Sequence, residues 1–65
     1  MMADFSRIVR TILRKNGCTF VRQGKGDHEI WYSPIVNSNF AVDGKIIKKG
    51  TANGTLINAG IKERV

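Results

Sequence analysis

Hydrophobic residues in the first part of the chain recur three and four positions apart, at Phe5, Ile8, Val9, Ile12 and Leu13. This spacing places them on one face and predicts an amphipathic helix that packs by that face. Asp4 or Ser6 is suited to cap its start, because a short polar side chain accepts a hydrogen bond from a free N–H group. Gly17 is suited to end it, because glycine adopts the left-handed conformation without strain.

The next part of the chain alternates in character at every second position, which is the pattern of β-strands. Residues 18–23 and residues 28–33 are the predicted strands, and the glycine-rich residues 24–27 between them make a turn. Pro34 ends the second strand because it has no N–H to donate. We therefore predict an antiparallel hairpin here.

A third strand and a second helix complete the predicted elements. Phe40 and Val42 stand two positions apart and predict a short strand, which stops at the Asp-Gly pair of residues 43–44. Thr51 is a good N-cap for a helix that continues through Ala59.

The apolar side of this second helix consists of Ala52, Leu56 and Ile57. Residues 53–55 are poor helix formers, so packing on the sheet, rather than intrinsic propensity, must hold the helix. Gly60 is the predicted left-handed residue after its end.

These elements follow the order helix, three strands, helix in a chain of 65 residues. A chain of this length forms one domain, so we expect residues 1–65 to fold as a unit. We predict an α+β fold in which a three-stranded antiparallel sheet carries both helices on one face, the plan of double-stranded-RNA-binding domains. The plan alone does not specify an activity.

The chain is strongly basic, with 11 Lys and Arg against five Asp and Glu and a formal net charge of +6. This charge favours a polyanionic partner, because lysine and arginine displace counterions from phosphates. Nucleic acid is one such partner, and a membrane surface is the competing one. Basic residues interrupt the longest apolar pattern, so we predict no transmembrane or signal segment and expect a cytoplasmic protein.

Three arginines of the first helix, Arg7, Arg10 and Arg14, fall opposite its apolar face. We interpret them as a solvated polar surface, because exposed arginine is common on helices. Direct contact with RNA is the alternative interpretation.

Neither a disulfide nor a metal centre is indicated. Cys18 is the only cysteine and stands at an apolar strand position, which is typical of a buried thiol in a reducing compartment. One histidine and five scattered acids lack the clustering that zinc or a two-metal nuclease site requires. We therefore expect no metal ion and no cofactor.

Three short segments carry a more specific signal than the order of elements. They are Arg22-Gln23-Gly24-Lys25-Gly26-Asp27-His28, Gly50-Thr51-Ala52-Asn53 and Ala59-Gly60-Ile61. In this order the segments resemble the HicA family of bacterial toxins, and the likeness extends from the first helix to Ile61. It implies a small ribonuclease of a toxin–antitoxin pair, with a dsRNA-binding-domain-like fold, inhibited by a HicB antitoxin.

The resemblance assigns the catalytic role to His28, in the Gly-x-His element before an aromatic-rich strand. Two positions depart from the family pattern. Cys18 stands where an aromatic residue is usual, which changes only the size of a core side chain. Asp27 stands where serine is usual, and this acid either influences the protonation of the neighbouring imidazole or only caps the turn.

Cleavage of RNA at its own 2′-hydroxyl requires a base, an acid and cations that balance the charge on phosphorus. Histidine serves either proton-transfer role near neutral pH, and His28 is the only histidine in the chain. Strand alternation places Tyr32 on the same face as His28, and Asp27 and Glu29 away from it. A tyrosine, a lysine or a water molecule is therefore the expected second proton-transfer group.

Two basic segments are the predicted RNA contacts. In the hairpin, flexible glycines allow a phosphate to approach the backbone; the candidates there are Arg22, Gly24, Lys25 and Gly26. Before the second helix, basic residues lie near its positive N-terminal end; the candidates there are Lys45, Lys48 and Lys49. For any one of these lysines, a merely solvated loop is an equal alternative.

Two functions from different classes fit these features. The first is an endoribonuclease toxin that cuts mRNA and is silenced by a HicB-like antitoxin. The second is a non-catalytic RNA-binding module, for which charge and fold suffice. A typical double-stranded-RNA-binding domain spans about 16 base pairs, and a chain this short reaches that far only with long loops. The predicted loops are short, which favours the enzyme.

Overall fold

The computed structural model describes residues 4–65, and the first three residues of the expected domain lie outside this part. It contains the elements in the predicted order: α1 (Ser6–Lys15), β1 (Thr19–Gln23), β2 (Glu29–Ser33), β3 (Ser38–Val42) and α2 (Lys49–Asn58). The prediction of an α+β fold with a dsRNA-binding-domain-like plan is thereby confirmed.

The strands form one antiparallel sheet in the order β1-β2-β3, so β2 is the central strand. β2 and β3 pair without interruption, from Glu29 opposite Val42 to Ser33 opposite Ser38. The pairing of β1 with β2 shifts between Phe20 and Arg22, which marks a β-bulge. The ends of β1 and β3 and the start of β2 therefore lie together at one end of the sheet.

The core lies between one face of the sheet and the two helices. Trp31 is its largest buried side chain, and Val42 of β3 lies beside it on the same face. Phe20 packs edge-on against Trp31 with ring centroids 6.2 Å apart, and the Arg14 guanidinium lies 5.3 Å from the Trp31 ring centroid. Tyr32 points to the opposite face, which no helix covers. The remaining core residues are Val9, Ile12, Leu13, Cys18, Ile46, Ala52, Leu56, Ala59 and Ile61.

Both helices end as the sequence predicts. Gly17 (φ 86°) and Gly60 (φ 77°) adopt the left-handed conformation directly after α1 and α2. The residue after each glycine donates its N–H to a carbonyl of the last turn: Cys18 to Leu13 at 2.9 Å and Ile61 to Leu56 at 3.0 Å. These are Schellman motifs, and in each the following residue is buried in the core.

The start of α1 differs in part from the prediction, because the N-cap is Phe5, whose side chain makes no capping hydrogen bond, and Ser6 is the first helical residue. Asp4 Oδ1 accepts a hydrogen bond from the Ser6 N–H at 2.9 Å. Ser6 Oγ accepts one from the Ile46 N–H at 2.8 Å, and the Phe5 N–H donates to the Ile46 carbonyl at 2.7 Å. The start of α1 is therefore joined to the segment that precedes α2.

The start of α2 differs from the prediction. The helix begins at Lys49 with Lys48 as N-cap, and no side chain caps it, so the assignment of Thr51 as N-cap is wrong. Thr51 instead lies within the first turn and accepts a hydrogen bond from Thr55 Oγ1 at its carbonyl. The physical reason is tertiary: Ile46 and Ala52 are fully buried, and this packing starts the helix before the residue with the best capping chemistry.

Two isoleucines predicted to face the core do not. Ile8 is 48% exposed and Ile57 is 56% exposed, while Val9 and Leu56 beside them are fully buried. The buried stripe of each helix is narrower than its hydrophobic pattern, because a small three-stranded sheet covers less than a full helical face. In α2, Thr55 is buried instead of Ile57, and its hydroxyl donates a hydrogen bond to a carbonyl of the same helix.

Substitution of two glycines by alanine separates backbone strain from helix propensity. Gly60 has a positive φ, and an added Cβ would lie 2.7 Å from Val36 Cγ1, so we expect Gly60→Ala to lower the free energy of unfolding by about 1–3 kcal/mol. Gly54 lies inside α2 with open space around it, so we expect Gly54→Ala to raise that free energy by about 0.5–1 kcal/mol. Urea unfolding monitored by Trp31 fluorescence measures both free energies. Effects of equal sign would contradict the conclusion that Gly60, and not Gly54, is required by its backbone conformation.

Candidate active site

His28 stands at the end of the tight turn between β1 and β2. Its carbonyl accepts hydrogen bonds from the Gly24 N–H at 2.7 Å and from Gln23 Nε2 at 2.8 Å. Its own N–H donates to the Lys25 carbonyl at 3.2 Å, and Gly26 within the turn has φ 65°. The main chain of His28 is therefore fixed, while its side chain is 50% exposed.

The imidazole contacts one carboxylate, that of Asp43. His28 Nε2 lies 2.9 Å from Asp43 Oδ1, and the Asp43 side chain is 44% exposed. The contact follows from the pairing of β2 with β3, because Glu29 opposes Val42 and the next pair outward consists of His28 and Asp43. A half-open histidine–carboxylate pair thus lies at one end of the sheet.

A glycine allows the two halves of this pair to approach. A Cβ added at Gly44 would lie 2.4 Å from the Asp27 carbonyl oxygen, so no other residue fits without a shift of the backbone. The turn that carries His28 therefore packs directly against the chain that leaves β3. Asp27 contributes its backbone to this contact, and the acid at the imidazole is Asp43 rather than Asp27.

Arg10 joins α1 to Asp43 and to Glu29, the residue that follows His28. Its Nε and Nη2 lie 3.2 and 3.1 Å from Glu29 Oε1, and Nη2 also donates to the Asp43 carbonyl at 3.0 Å. Nη1 donates to the Ser6 carbonyl at 3.2 Å. The interpretation of Arg10 as a solvated surface residue is therefore wrong: its side chain is only 15% exposed. Periodicity could not show this, because two of its partners, Glu29 in β2 and Asp43 after β3, lie far along the chain.

Glu29 is the centre of this link. The same oxygen, Oε1, also accepts a hydrogen bond from Trp31 Nε1 at 2.9 Å. The Trp31 hydrogen bond, followed by the Arg10 guanidinium, lowers the pKa of Glu29 below its ordinary value, although burial opposes the shift. Glu29 is thus held ionised on the helix-covered face, while His28 next to it reaches solvent.

Tyr32 is not brought to the imidazole. Its hydroxyl donates to Asn37 Oδ1 at the far end of β2, about 13 Å along the strand from His28 at the usual rise per residue. The group that the fold does bring there, Asp43, was predicted only as the end of a strand. A signal for it exists in the sequence: a β2–β3 turn at residues 34–37 fixes the register that places residue 43 opposite residue 28.

The predicted RNA-contacting residues belong to the two chain segments that adjoin His28 and Asp43. Lys25 and Arg22 are exposed in and beside the turn that carries His28. Lys45, Lys48 and Lys49 are exposed on the chain that leaves Asp43 and enters α2. All five side chains are therefore free to meet a ligand.

The two candidate glycines of the turn differ. A Cβ on Gly24 would lie 3.1 Å from the His28 carbonyl oxygen and 3.3 Å from the Ile30 side chain, so this glycine is needed for packing. Gly26 has open space around it. Gly26 is therefore the one beside which a ligand has room to approach the backbone.

Other site chemistry is limited in the described part of the chain. Within residues 4–65, no three His, Cys, Asp or Glu side chains cluster as a metal site would require. Cys18 is a free thiol buried in the core, as predicted. Among the same residues, neither helix has the length and apolar character needed to cross a membrane.

Comparison with known protein families identifies the chain. The family described as HicA toxin of bacterial toxin–antitoxin systems matches residues 6–61. The chain belongs to the HicA toxin family. No curated protein and no solved structure gives a significant match. The HicA match covers both helices, the sheet and the His28–Asp43 pair, and it implies that this protein is the toxin of a toxin–antitoxin pair with an antitoxin as its partner.

The lowered pKa of Glu29 makes the stability of this HicA toxin depend on pH in a defined direction. The unfolded chain binds a proton at Glu29 at higher pH than the folded one, so the stabilisation is complete above the ordinary value of 4.5 and is lost as pH falls through the lower folded pKa. We expect Glu29→Gln to reduce the free energy of unfolding by about 1.5–3 kcal/mol at pH 7, and by less at pH 3.

Urea unfolding at the two pH values measures this difference. Glu63→Gln is the matched control, because the exposed Glu63–Lys15 ion pair, with 3.4 Å between the charged groups, contributes little. An equal loss at both pH values for Glu29→Gln would contradict the ionised link.

Proposed function

We propose that this HicA toxin is a metal-independent endoribonuclease that cleaves mRNA in the cytoplasm and so arrests translation. His28 is the proton-transfer residue of this reaction. The observation that carries the proposal is a half-exposed imidazole, rigid in its main chain and held by a carboxylate, among exposed lysines. Family membership supports a toxin, and the resemblance of the Gly26-Asp27-His28 element supports the residue.

The proposed reaction is a transfer within the RNA chain. The 2′-oxygen forms a bond to the adjacent phosphorus as the bond from phosphorus to the 5′-oxygen breaks. One proton leaves the 2′-hydroxyl to a base, and one proton reaches the departing 5′-oxygen from an acid. The products are a 2′,3′-cyclic phosphate and a 5′-hydroxyl, and no water or other reactant is consumed. The imidazole of His28 is suited to either proton role near neutral pH.

Cationic groups near His28 stabilise the negative charge that develops on phosphorus. We assign this role, together with RNA binding, to Arg22, Lys25, Lys45, Lys48 and Lys49, with Gly24 and Gly26 shaping the turn beside them. The N-terminus of α2, where Lys48 and Lys49 stand, adds the positive end of a helix dipole. An RNA backbone that crosses this end of the sheet meets both basic segments.

The antitoxin partner is proposed to be a HicB-like protein that covers His28. The surface to be covered is basic and open, so acidic groups on the antitoxin would speed association and compete with RNA for the same lysines. Inhibition then follows from occupation of the site rather than from a change in the toxin.

The second candidate function is a non-catalytic RNA-binding module. The observation in its favour is that the exposed lysines and the net charge of +6 suffice to bind RNA without any role for His28. Under this alternative no RNA cleavage occurs, and substitution of His28 leaves RNA affinity unchanged.

His28→Ala tests the catalytic assignment. We expect the purified toxin to cleave RNA in the presence of a chelator, and the variant to cleave at least about 100-fold more slowly, as loss of a proton-transfer group predicts. Analysis of the fragments should show 2′,3′-cyclic phosphate ends. Arg7→Ala, which removes an exposed charge from α1, is the control with unchanged cleavage. Cleavage by His28→Ala at the rate of the unaltered protein would refute the role of His28.

A lysine substitution tests the RNA surface. In the inactive His28→Ala background, we expect Lys49→Ala to weaken RNA binding and to reduce the slope of log affinity against log salt by roughly 0.7 to 1, the value of one lost phosphate contact. Lys62→Ala removes the same charge from the C-terminal segment and should leave that slope unchanged. Equal effects of the two substitutions would show that binding depends only on net charge.

A further inference from the structure

We propose that Asp43 is the positioning residue of His28: it holds Nε2–H and thereby directs Nδ1 to the RNA. This inference rests on the proposed function and names the nitrogen that performs it. The observation behind it is the 2.9 Å contact between His28 Nε2 and Asp43 Oδ1.

The choice of nitrogen follows from what a carboxylate can do. An ionised carboxylate only accepts hydrogen bonds, so the hydrogen of the contact is on Nε2. In the neutral ring the lone pair is then on Nδ1, which is the nitrogen that accepts a proton from the 2′-hydroxyl. When the ring is protonated, the same carboxylate balances its charge, and Nδ1–H is the donor to the departing oxygen.

Asp43 is itself held from several directions. Its carbonyl accepts the Arg10 Nη2 hydrogen bond at 3.0 Å, and its position along the chain follows from the pairing of Val42 with Glu29. Gly44 packs against the Asp27 carbonyl on the other side. Within residues 4–65 its carboxylate forms no ion pair with a lysine or arginine, so the imidazole is its side-chain partner there. Asp43 is therefore positioned by the fold and directed at His28.

Electrostatics separates this role from simpler ones. A carboxylate among RNA-binding lysines repels the substrate, so its removal should lower KM or leave it unchanged. Removal of a residue that only maintained the fold would lower activity and stability together. Loss of kcat without a rise in KM, in a folded variant, is therefore specific to a positioning role.

The kinetic test compares substitutions at two aspartates, Asp43 and Asp27. Each substitution removes one negative charge near His28. We expect Asp43→Ala to lower kcat by roughly 10- to 100-fold, the range for partners that orient a histidine. Asp43→Asn should lower it less, because the amide oxygen still accepts a hydrogen bond. Asp27→Asn is the control, since Asp27 precedes His28 directly and its carboxylate forms no ion pair with the imidazole, which pairs with Asp43; its kcat should be unchanged.

A second measurement requires no RNA. Because His28 is the only histidine, the imidazole nitrogen signals in ¹H–¹⁵N spectra are assigned without ambiguity. We expect the neutral ring of the unaltered protein and of Asp27→Asn to be the Nε2–H form. In Asp43→Ala the two nitrogens should shift toward the mixture of forms seen for free histidine.

The outcomes are distinct. Unchanged nitrogen signals and unchanged kcat in Asp43→Ala would overturn the inference and leave the proposed function intact. Cleavage at the full rate by His28→Ala would overturn both. Trp31 fluorescence reports whether each variant is folded; if Asp43→Ala is not, Asp43→Asn decides, and an unchanged kcat in that isosteric variant overturns the inference.

Discussion

The geometry of this small protein depends on the contacts of the Arg10 guanidinium. It joins the middle of α1 to Glu29 in the central strand and to the carbonyl of Asp43 after β3. A charged group so little exposed is costly without partners, and here each partner is fixed by other contacts, Glu29 by Trp31 among them. One side chain of α1 thus contacts Asp43 itself and Glu29, the neighbour of His28, so it helps to fix both halves of the pair.

This arrangement divides the basic charge into separate uses. Arg10 is committed to the interior and Lys15 faces Glu63, so neither adds much to the field that a ligand meets. The exposed lysines of the β1–β2 turn and of the segment before α2 carry that field. His28 is outside the formal charge altogether; it follows the first of those basic segments, and its partner Asp43 precedes the second. Net charge therefore overstates the attraction for a polyanionic ligand, while the distribution of charge localises it.

The sequence predicts those features that depend on local rules. The element order and both helix-ending glycines follow from periodicity and backbone conformation, and His28 follows from resemblance to a family. Arg10 could not be placed from the sequence, because its burial is decided by partners far along the chain. Asp43 lies between these cases: its partner follows from strand register, and that register follows from the turn at residues 34–37 that joins β2 to β3. The errors at Thr51, Ile8 and Ile57 have the same cause as the error at Arg10, since tertiary packing overrode local preference at each.

The bulge in β1 has a consequence for how copies of this chain meet. β1 is an edge strand with every residue exposed, Phe20 and Val21 included, and such an edge is ordinarily a template on which another strand can add. The shifted pairing between Phe20 and Arg22 breaks the regular spacing of free N–H and C=O groups along that edge. Arg22 then places a charge where an incoming strand would continue. The irregularity next to the turn that carries His28 thus also disfavours ordered self-association into extended sheets.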